Sequence, residues 1–158
     1  MEINKFYIAG KFITPDGKEI IDLINPATEE KIGHVISGSV KDVNDAVSAA
    51  KQAFQEASAL SLEQKKTILQ EIIDGMDERR EEFAQVISEE MGAPIKVARG
   101  AQFSSGKVHF VNTLKVLDGF SFSEVHDNIT LNKLPIGPVG MITPWNWPLN
   151  QMCTKIAS

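Results

Sequence analysis

Along the first forty residues apolar side chains come in short clusters between turn-forming residues, which is the pattern of strands. Phe6 and Ile8, then Phe12 and Ile13, flank Ala9-Gly10 and predict a tight hairpin. Thr14-Pro15-Asp16-Gly17 predicts a turn, because proline presets φ, the Asp side chain can bond its own backbone and glycine accepts positive φ. Ile20 to Ile24 and Lys31 to Ile36 predict two more strands, separated by Asn25-Pro26. The period then lengthens. Ser39 with Asp42 three residues on matches a capping box, and Val43, Ala46, Val47, Ala50, Ala53, Phe54 and Ala57 recur at helical spacing. Ser61 with Gln64 repeats the start signal ahead of Ile68, Leu69, Ile72, Ile73 and Met76. Phe83, Val86, Ile87 and Met91 continue that stripe as one helix until Gly92 and Pro94 stop it. Val97, Ala98, Ala101, Val108, Val111 and Leu114 predict a further helix, weakened by Gly100 and Gly106.

The period shortens again after Gly119. Phe120, Phe122 and Val125 alternate with polar residues, and Ile129, Leu131 and Leu134 do so after His126-Asp127-Asn128. Two amphipathic strands around a polar turn predict a hairpin that needs a partner surface, since an isolated hairpin is marginal in water. Val139 to Ile142 predicts a short apolar strand running into Thr143-Pro144-Trp145-Asn146-Trp147-Pro148. No internal repeat or low-complexity segment interrupts this order.

Composition narrows the function. The 158 residues carry 16 basic and 21 acidic side chains, a net charge of −5. The whole imbalance falls between Ser61 and Gly92, with nine acids against four bases, which a helix with one acidic face in water explains. No basic stripe remains to follow a phosphate backbone, so nucleic acid is excluded as the expected partner. The single cysteine, Cys153, excludes an internal disulfide and suits a reducing compartment. No apolar run reaches the roughly 20 residues that span a bilayer, and Met1 to Lys5 lacks a secretory pattern. A soluble cytoplasmic protein without membrane attachment is the expectation. His34, His109 and His126 lack metal-ligand spacing and read as surface or satisfied histidines, so no metal site is expected. Asn128-Ile129-Thr130 is formally a glycosylation sequon and reads as part of the hairpin turn.

The candidate chemistry lies in the hexapeptide. Ligands of open α/β sheets sit beyond the carboxyl ends of strands, where this loop is expected. Asn146 offers a neutral N–H donor that can meet a developing oxyanion. An equally physical reading makes Asn146 the cap of a helix that starts at Pro148. Cys153 falls inside that helix and reads as a packing residue.

The run from Leu134 to Leu149 closely resembles the aldehyde dehydrogenase superfamily, whose pattern there is Pro-x-Gly-x-Val-Gly, a few apolar residues, then Pro-Trp-Asn-aromatic-Pro. Asn25-Pro26-Ala27-Thr28-Glu29-Glu30, the helix from Asp42 to Phe54 and Glu89-Glu90-Met91-Gly92-Ala93-Pro94 are similar to earlier segments of the same family. The sequence departs from the family pattern at Gln55-Glu56-Ala57-Ser58, where a Trp is frequent, at Ala93 and at Trp147, where Phe is usual.

The resemblance implies an α/β fold: the N-terminal portion of the aldehyde dehydrogenase fold, a truncated Rossmann-like cofactor domain with flanking helices and an oligomerisation hairpin. Residues 1–118 would be the N-terminal strands and helices, 119–136 the oligomerisation arm, and 137–158 the first strand, loop and helix of an incomplete dinucleotide-binding sheet. It implies oxidation of an aldehyde to a carboxylic acid with NAD or NADP, NAD slightly preferred, through a cysteine thiohemiacetal and thioester. The nucleophile and the general base would lie beyond Ser158, so the chain alone is expected to be inactive.

Carried over by matching position, Asn146 is the oxyanion-hole amide, and Thr143, Pro144, Trp145 and Asn146 lie against the cofactor. Lys155 serves a charge relay or cofactor positioning; from the sequence, a buried paired lysine and an exposed one stand equally. Trp147, Gln151 and Thr154 share one helix face, implied to border the substrate channel, although such a stripe also fits a core. The implied partners are a small-molecule aldehyde and further copies of the chain, as a homodimer or homotetramer. The rival expectation is a non-catalytic helical module that dimerises through the Phe120–Leu134 hairpin.

Overall fold

The computed structural model describes residues 2–158. At the N-terminus β2 (Phe6–Ile8) and β3 (Lys11–Ile13) form the expected hairpin, with Tyr7 opposite Phe12 and Ala9 and Gly10 both at positive φ as a two-residue turn requires. β4 (Ile20–Ile24) and β5 (Lys31–Ile36) pair antiparallel, and Asn25 holds their connection by accepting from the N–H of Ala27 at 2.8 Å. β1 (Glu2–Ile3) adds a parallel strand to β5. Two residues show no alternation, so this strand has no signature in the sequence.

The Pro15–Gly17 turn is secured from a distance. Asp42 accepts from the backbone N–H groups of Asp16 at 2.8 Å, Gly17 at 3.0 Å and Ser39 at 2.8 Å. The expected local bond from Asp16 to its own backbone is replaced: its carboxylate accepts from the Ser39 hydroxyl at 3.0 Å. Asp42 is thus both the capping-box acid of α1 (Val40–Ser58) and the clasp of the turn before β4. The backbone N–H of Asp16, joined by those of Ser39 and Gly17, holds its carboxyl well below the usual carboxylate range. The apolar stripe of α1 is only partly covered, with Val43 and Val47 exposed.

The acidic window folds as two helices, not one. α2 (Leu62–Glu78) starts at the Ser61–Gln64 capping box, and α3 (Arg80–Met91) follows a break at Arg79, where φ is −103° and ψ 16°. Asp77 to Glu82 is an unbroken run of charged residues, so no apolar contact holds a straight helix through that turn. Four of its charges bind neighbouring elements or each other: Lys107 bonds Asp77 at 2.8 Å, Arg99 bonds Glu81 at 2.6 Å and Arg79 bonds Glu82 at 2.7 Å. Gly92 ends α3 at φ 71°, which favours glycine, and a Cβ there would lie 2.8 Å from Pro26 Cγ.

The next helix is also not regular. One turn, α4 (Ile95–Val97), passes into a π-helical turn over Ala98–Gln102 and then α5 (Phe103–Leu117). Gln102 is buried there, with its amide NH2 3.5 Å from Met91 Sδ and its Oε1 without a partner among the described residues. The core is helical: Ile73 and Met76 of α2, Ala84 and Ile87 of α3, and Phe103 and Phe110 of α5 meet Leu149 and Cys153 of α6 (Pro148–Ile156). Burial of a side chain such as Phe103, which has no exposed surface, is worth about 1.5–3 kcal/mol.

β6 (Ser123–His126) and β7 (Ile129–Asn132) form the second expected hairpin, turning at Asp127-Asn128. Its faces are less segregated than the alternation predicts. Val125 lies opposite Thr130 on one face, whereas Ile129 and Leu131 share the other with His126 and Glu124. All three apolar residues are exposed. The root is fixed to the body by the Lys65 ammonium of α2, 4.6 Å from the Phe122 ring, and within the hairpin Lys133 lies 4.8 Å from the ring of Phe120.

The strand expected over Val139–Ile142 does not form. Its stretch runs without regular structure, and Val139 and Ile142 are exposed. A strand exists through hydrogen bonds to a neighbour, and none of the described residues supplies one.

Candidate functional site

α6 positions the loop before it. Pro148 occupies its first turn, where a missing N–H costs nothing, and the N-cap is Trp147, whose side chain makes no cap bond. The capping alternative for Asn146 is therefore set aside: its amide is exposed and has no hydrogen-bond partner among the described residues. Thr143, Pro144 and Trp145 are exposed as well, and their backbone groups have no partner among the described residues. The loop thus presents a row of free polar groups beside two tryptophan rings, of which Trp145 is 82% exposed and Trp147 39%.

The other candidates divide between two sides of α6. Lys155 is half-buried, and its Nζ donates to the backbone oxygen of Gln151 at 3.2 Å and to Gln151 Oε1 at 3.3 Å. It has no carboxylate partner among the described residues, an arrangement between the two alternatives the sequence leaves open. Gln151 is half-buried on the same side. Thr154 lies at the border of that face and turns its hydroxyl to α5, 3.2 Å from His109 Nδ1. His109 Nε2 lies 2.7 Å from Asn150 Oδ1.

Cys153 is a packing residue. It is 3% exposed, and burial pushes its thiol up to about 11, so no thiolate forms near neutrality. It packs into a notch on α5: a Cβ on Gly106 would lie 2.6 Å from Leu149 Cγ and 3.3 Å from Cys153 Sγ. The sequence marks Gly106 as a weak point of a helix, whereas the structure makes it the place where α6 approaches α5. Reading the sequence by spacing also missed the His109–Asn150–Thr154 cluster; Asn150 and Thr154 are four apart, which puts them on one face, but nothing in the pattern pairs them with α5. Among the described residues no group of three or more His, Cys, Asp or Glu side chains could hold a metal ion. No helix among them is long and apolar enough to cross a membrane.

The chain is thus a mixed helix and strand fold that presents an exposed amide on a loop bracketed by two prolines. The chain belongs to the aldehyde dehydrogenase family, whose model matches residues 12–158. A Staphylococcus haemolyticus protein named for this family is 37% identical over 152 residues, which are 96% of this chain and 32% of that protein. Among solved structures, an aldehyde dehydrogenase C mutant from Pseudomonas syringae, complexed with NAD+ and octanal, is similar with a TM-score of 0.95 and 42% identity over 98% of this chain and 32% of its own. The Bartonella henselae aldehyde dehydrogenase is similar with a TM-score of 0.89 and 34% identity, over 97% of this chain and 33% of its own. The chain spans about a third of the length of the curated relatives it matches.

Proposed function

We propose that this chain is the N-terminal portion of an NAD(P)-dependent aldehyde dehydrogenase, with Asn146 as one donor of its oxyanion hole. The observation that carries the reading is the state of that side chain: a neutral amide, exposed, spent neither on capping α6 nor on any other partner, at the end of a loop anchored by a core helix. A donor held ready where negative charge builds on an aldehyde oxygen lowers the barrier, because it needs little reorganisation during the reaction. Cys153, buried and protonated, does not suit a nucleophile, and in this reading the nucleophile and general base belong to residues outside these 158.

The residues present fit one edge of a nicotinamide cofactor. Thr143, Pro144, Trp145 and Asn146 offer exposed, unpaired backbone groups, as a bound ribose and amide require. A bound nicotinamide would supply the hydride acceptor, and these residues would bind and orient it. The NAD+ in the Pseudomonas syringae structure supports NAD as the preferred form. Trp147 and Gln151 would border the aldehyde's path, with Thr154 at its margin, and the octanal bound by that neighbour supports an aliphatic substrate. Lys155, held by Gln151, would position the cofactor.

In this reading residues 1–118 flank the cofactor domain, 119–136 form an oligomerisation arm and 137–158 begin a Rossmann-like sheet, in which Val139–Ile142 becomes a strand once neighbours pair with it. The exposed Val125, Ile129 and Leu131 suit an arm that packs on a second copy of the chain. The lone reduced cysteine suits a cytoplasmic enzyme. The test is aldehyde turnover by the full-length protein with Asn146→Ala, with NAD+ affinity measured alongside.

A further inference from the structure

Among the described residues Thr143 to Asn146 make no hydrogen bonds, and the loop is tied to α6 where the Gln151 N–H donates to the Trp147 carbonyl at 3.0 Å, so its position is inherited from α6. Three contacts fix α6 on α5. Leu149 and Cys153 fill the Gly106 notch, which sets how closely the helices approach. Apolar contacts of this kind tolerate a small slide or rotation, because dispersion has little directionality. The third contact is directional: His109 lies between Asn150 and Thr154, one helical turn apart, and uses both ring nitrogens.

We propose that His109 is a positioning residue that locks the register of α6 and so places the Asn146 amide; the proposal rests on the oxyanion reading of Asn146. With Asn150 Oδ1 only able to accept, Nε2 carries the proton and donates at 2.7 Å, while Nδ1 accepts from the Thr154 hydroxyl at 3.2 Å. A neutral imidazole in this tautomer satisfies both partners at once. Asn150 is the third residue of α6 and four residues from Asn146, so a bond at Asn150 restrains the first turn of the helix, next to the loop. Thr154 restrains the following turn. Together they forbid rotation about the helix axis, the motion that would swing Asn146 away from a reacting oxygen.

The test compares His109→Leu, His109→Gln and His109→Asn in the full-length protein. Glutamine can place an N–H near the Nε2 position and keep the bond to Asn150; asparagine reaches only toward Thr154; leucine fills space and makes neither bond. Two readouts are taken on the same samples: steady-state kinetics with NAD+ and an aliphatic aldehyde, and hydrogen exchange at the Gln151 amide, which donates to the Trp147 carbonyl at 3.0 Å as α6 begins. His109→Leu is expected to lower kcat about tenfold or more with the KM for NAD+ within about twofold, because small misplacements at a reacting centre are costly. Exchange at Gln151 is expected to accelerate, and His109→Gln to recover both readouts more than His109→Asn. A histidine that only fills space predicts the reverse order, with leucine mildest; that order, or an unchanged kcat and exchange rate in His109→Leu, overturns the proposal. Asn146→Ala is assayed in parallel. If it turns over at the unaltered rate, the oxyanion reading fails by itself, while the exchange rate at Gln151 still decides whether His109 locks α6.

Discussion

Leu149 occupies the space that a side chain on Gly106 would take, with 2.6 Å between Leu149 Cγ and the position of a Cβ there. Gly106→Ala therefore cannot be accommodated without moving α6, even though alanine is the better helix former by about 1 kcal/mol. Overpacking outweighs propensity here. The variant is expected to lose about 1–3 kcal/mol of stability in urea denaturation. Gly100→Ala, at a position where a Cβ meets nothing within 4 Å, provides the control and is expected to cost less.

Asn146→Ala is expected to lower kcat about 10²–10³-fold, the usual consequence of deleting one oxyanion donor. The KM for NAD+ should change little, since the loop's backbone is untouched. Steady-state kinetics on the full-length protein separate the two constants. An equal loss in both would assign Asn146 to cofactor binding.

Asp42 couples the stability of the N-terminal region to pH. Its carboxyl is held below its ordinary value of 3.8, so its contribution is complete above that value and is lost as pH falls further. The thermal midpoint of the unaltered protein is expected to drop below about pH 4, and the drop should be shallower in Asp42→Asn, which cannot bind the same three N–H groups as an anion. At pH 7 the variant should melt several degrees lower. Thermal scans across pH 3–7 check both statements.

Leu131→Asp is expected to weaken self-association without altering the fold, because Leu131 is exposed on the face of the β6–β7 hairpin opposite to Val125. Phe122 is a poorer choice for the same purpose. Its ring lies under Lys65 and 4.8 Å from Phe120, so a charge there disturbs the root of the hairpin. Light scattering of the full-length protein reads the association, and an intact oligomer would count against the arm.

Local signals were legible wherever a few neighbouring residues decide the outcome. Both capping boxes, the Ala9-Gly10 turn, the stop at Gly92 and the hairpin turn at Asp127-Asn128 are cases of this kind. What escaped depended on residues far apart in the chain. Asp42 reaches the turn 25 residues before it, and His109 meets Asn150 across 41 positions, distances over which periodicity carries no information. The break at Arg79 was present in the composition, as a charged run without a single apolar anchor, but was masked by the helical stripes on either side. Val139–Ile142 failed for the opposite reason: its strand character is real as a preference and empty without a pairing neighbour. At the candidate site, the motif located Asn146, and only coordinates could show that its amide is free.

The wide turn over Ala98–Gln102 gives the chain from Ile95 to Leu117 a place to absorb a change in length. A π-type turn holds one residue more than an α-helix does over the same span, so deleting Gly100 would let the segment close into a regular helix with both flanks still in phase. A deletion of Lys107 or Val108 would instead rotate His109 by about 100° relative to the Gly106 notch and away from Asn150 and Thr154. Shortening this helix is tolerable at that point, which lies upstream of both Gly106 and His109, the residues that grip α6.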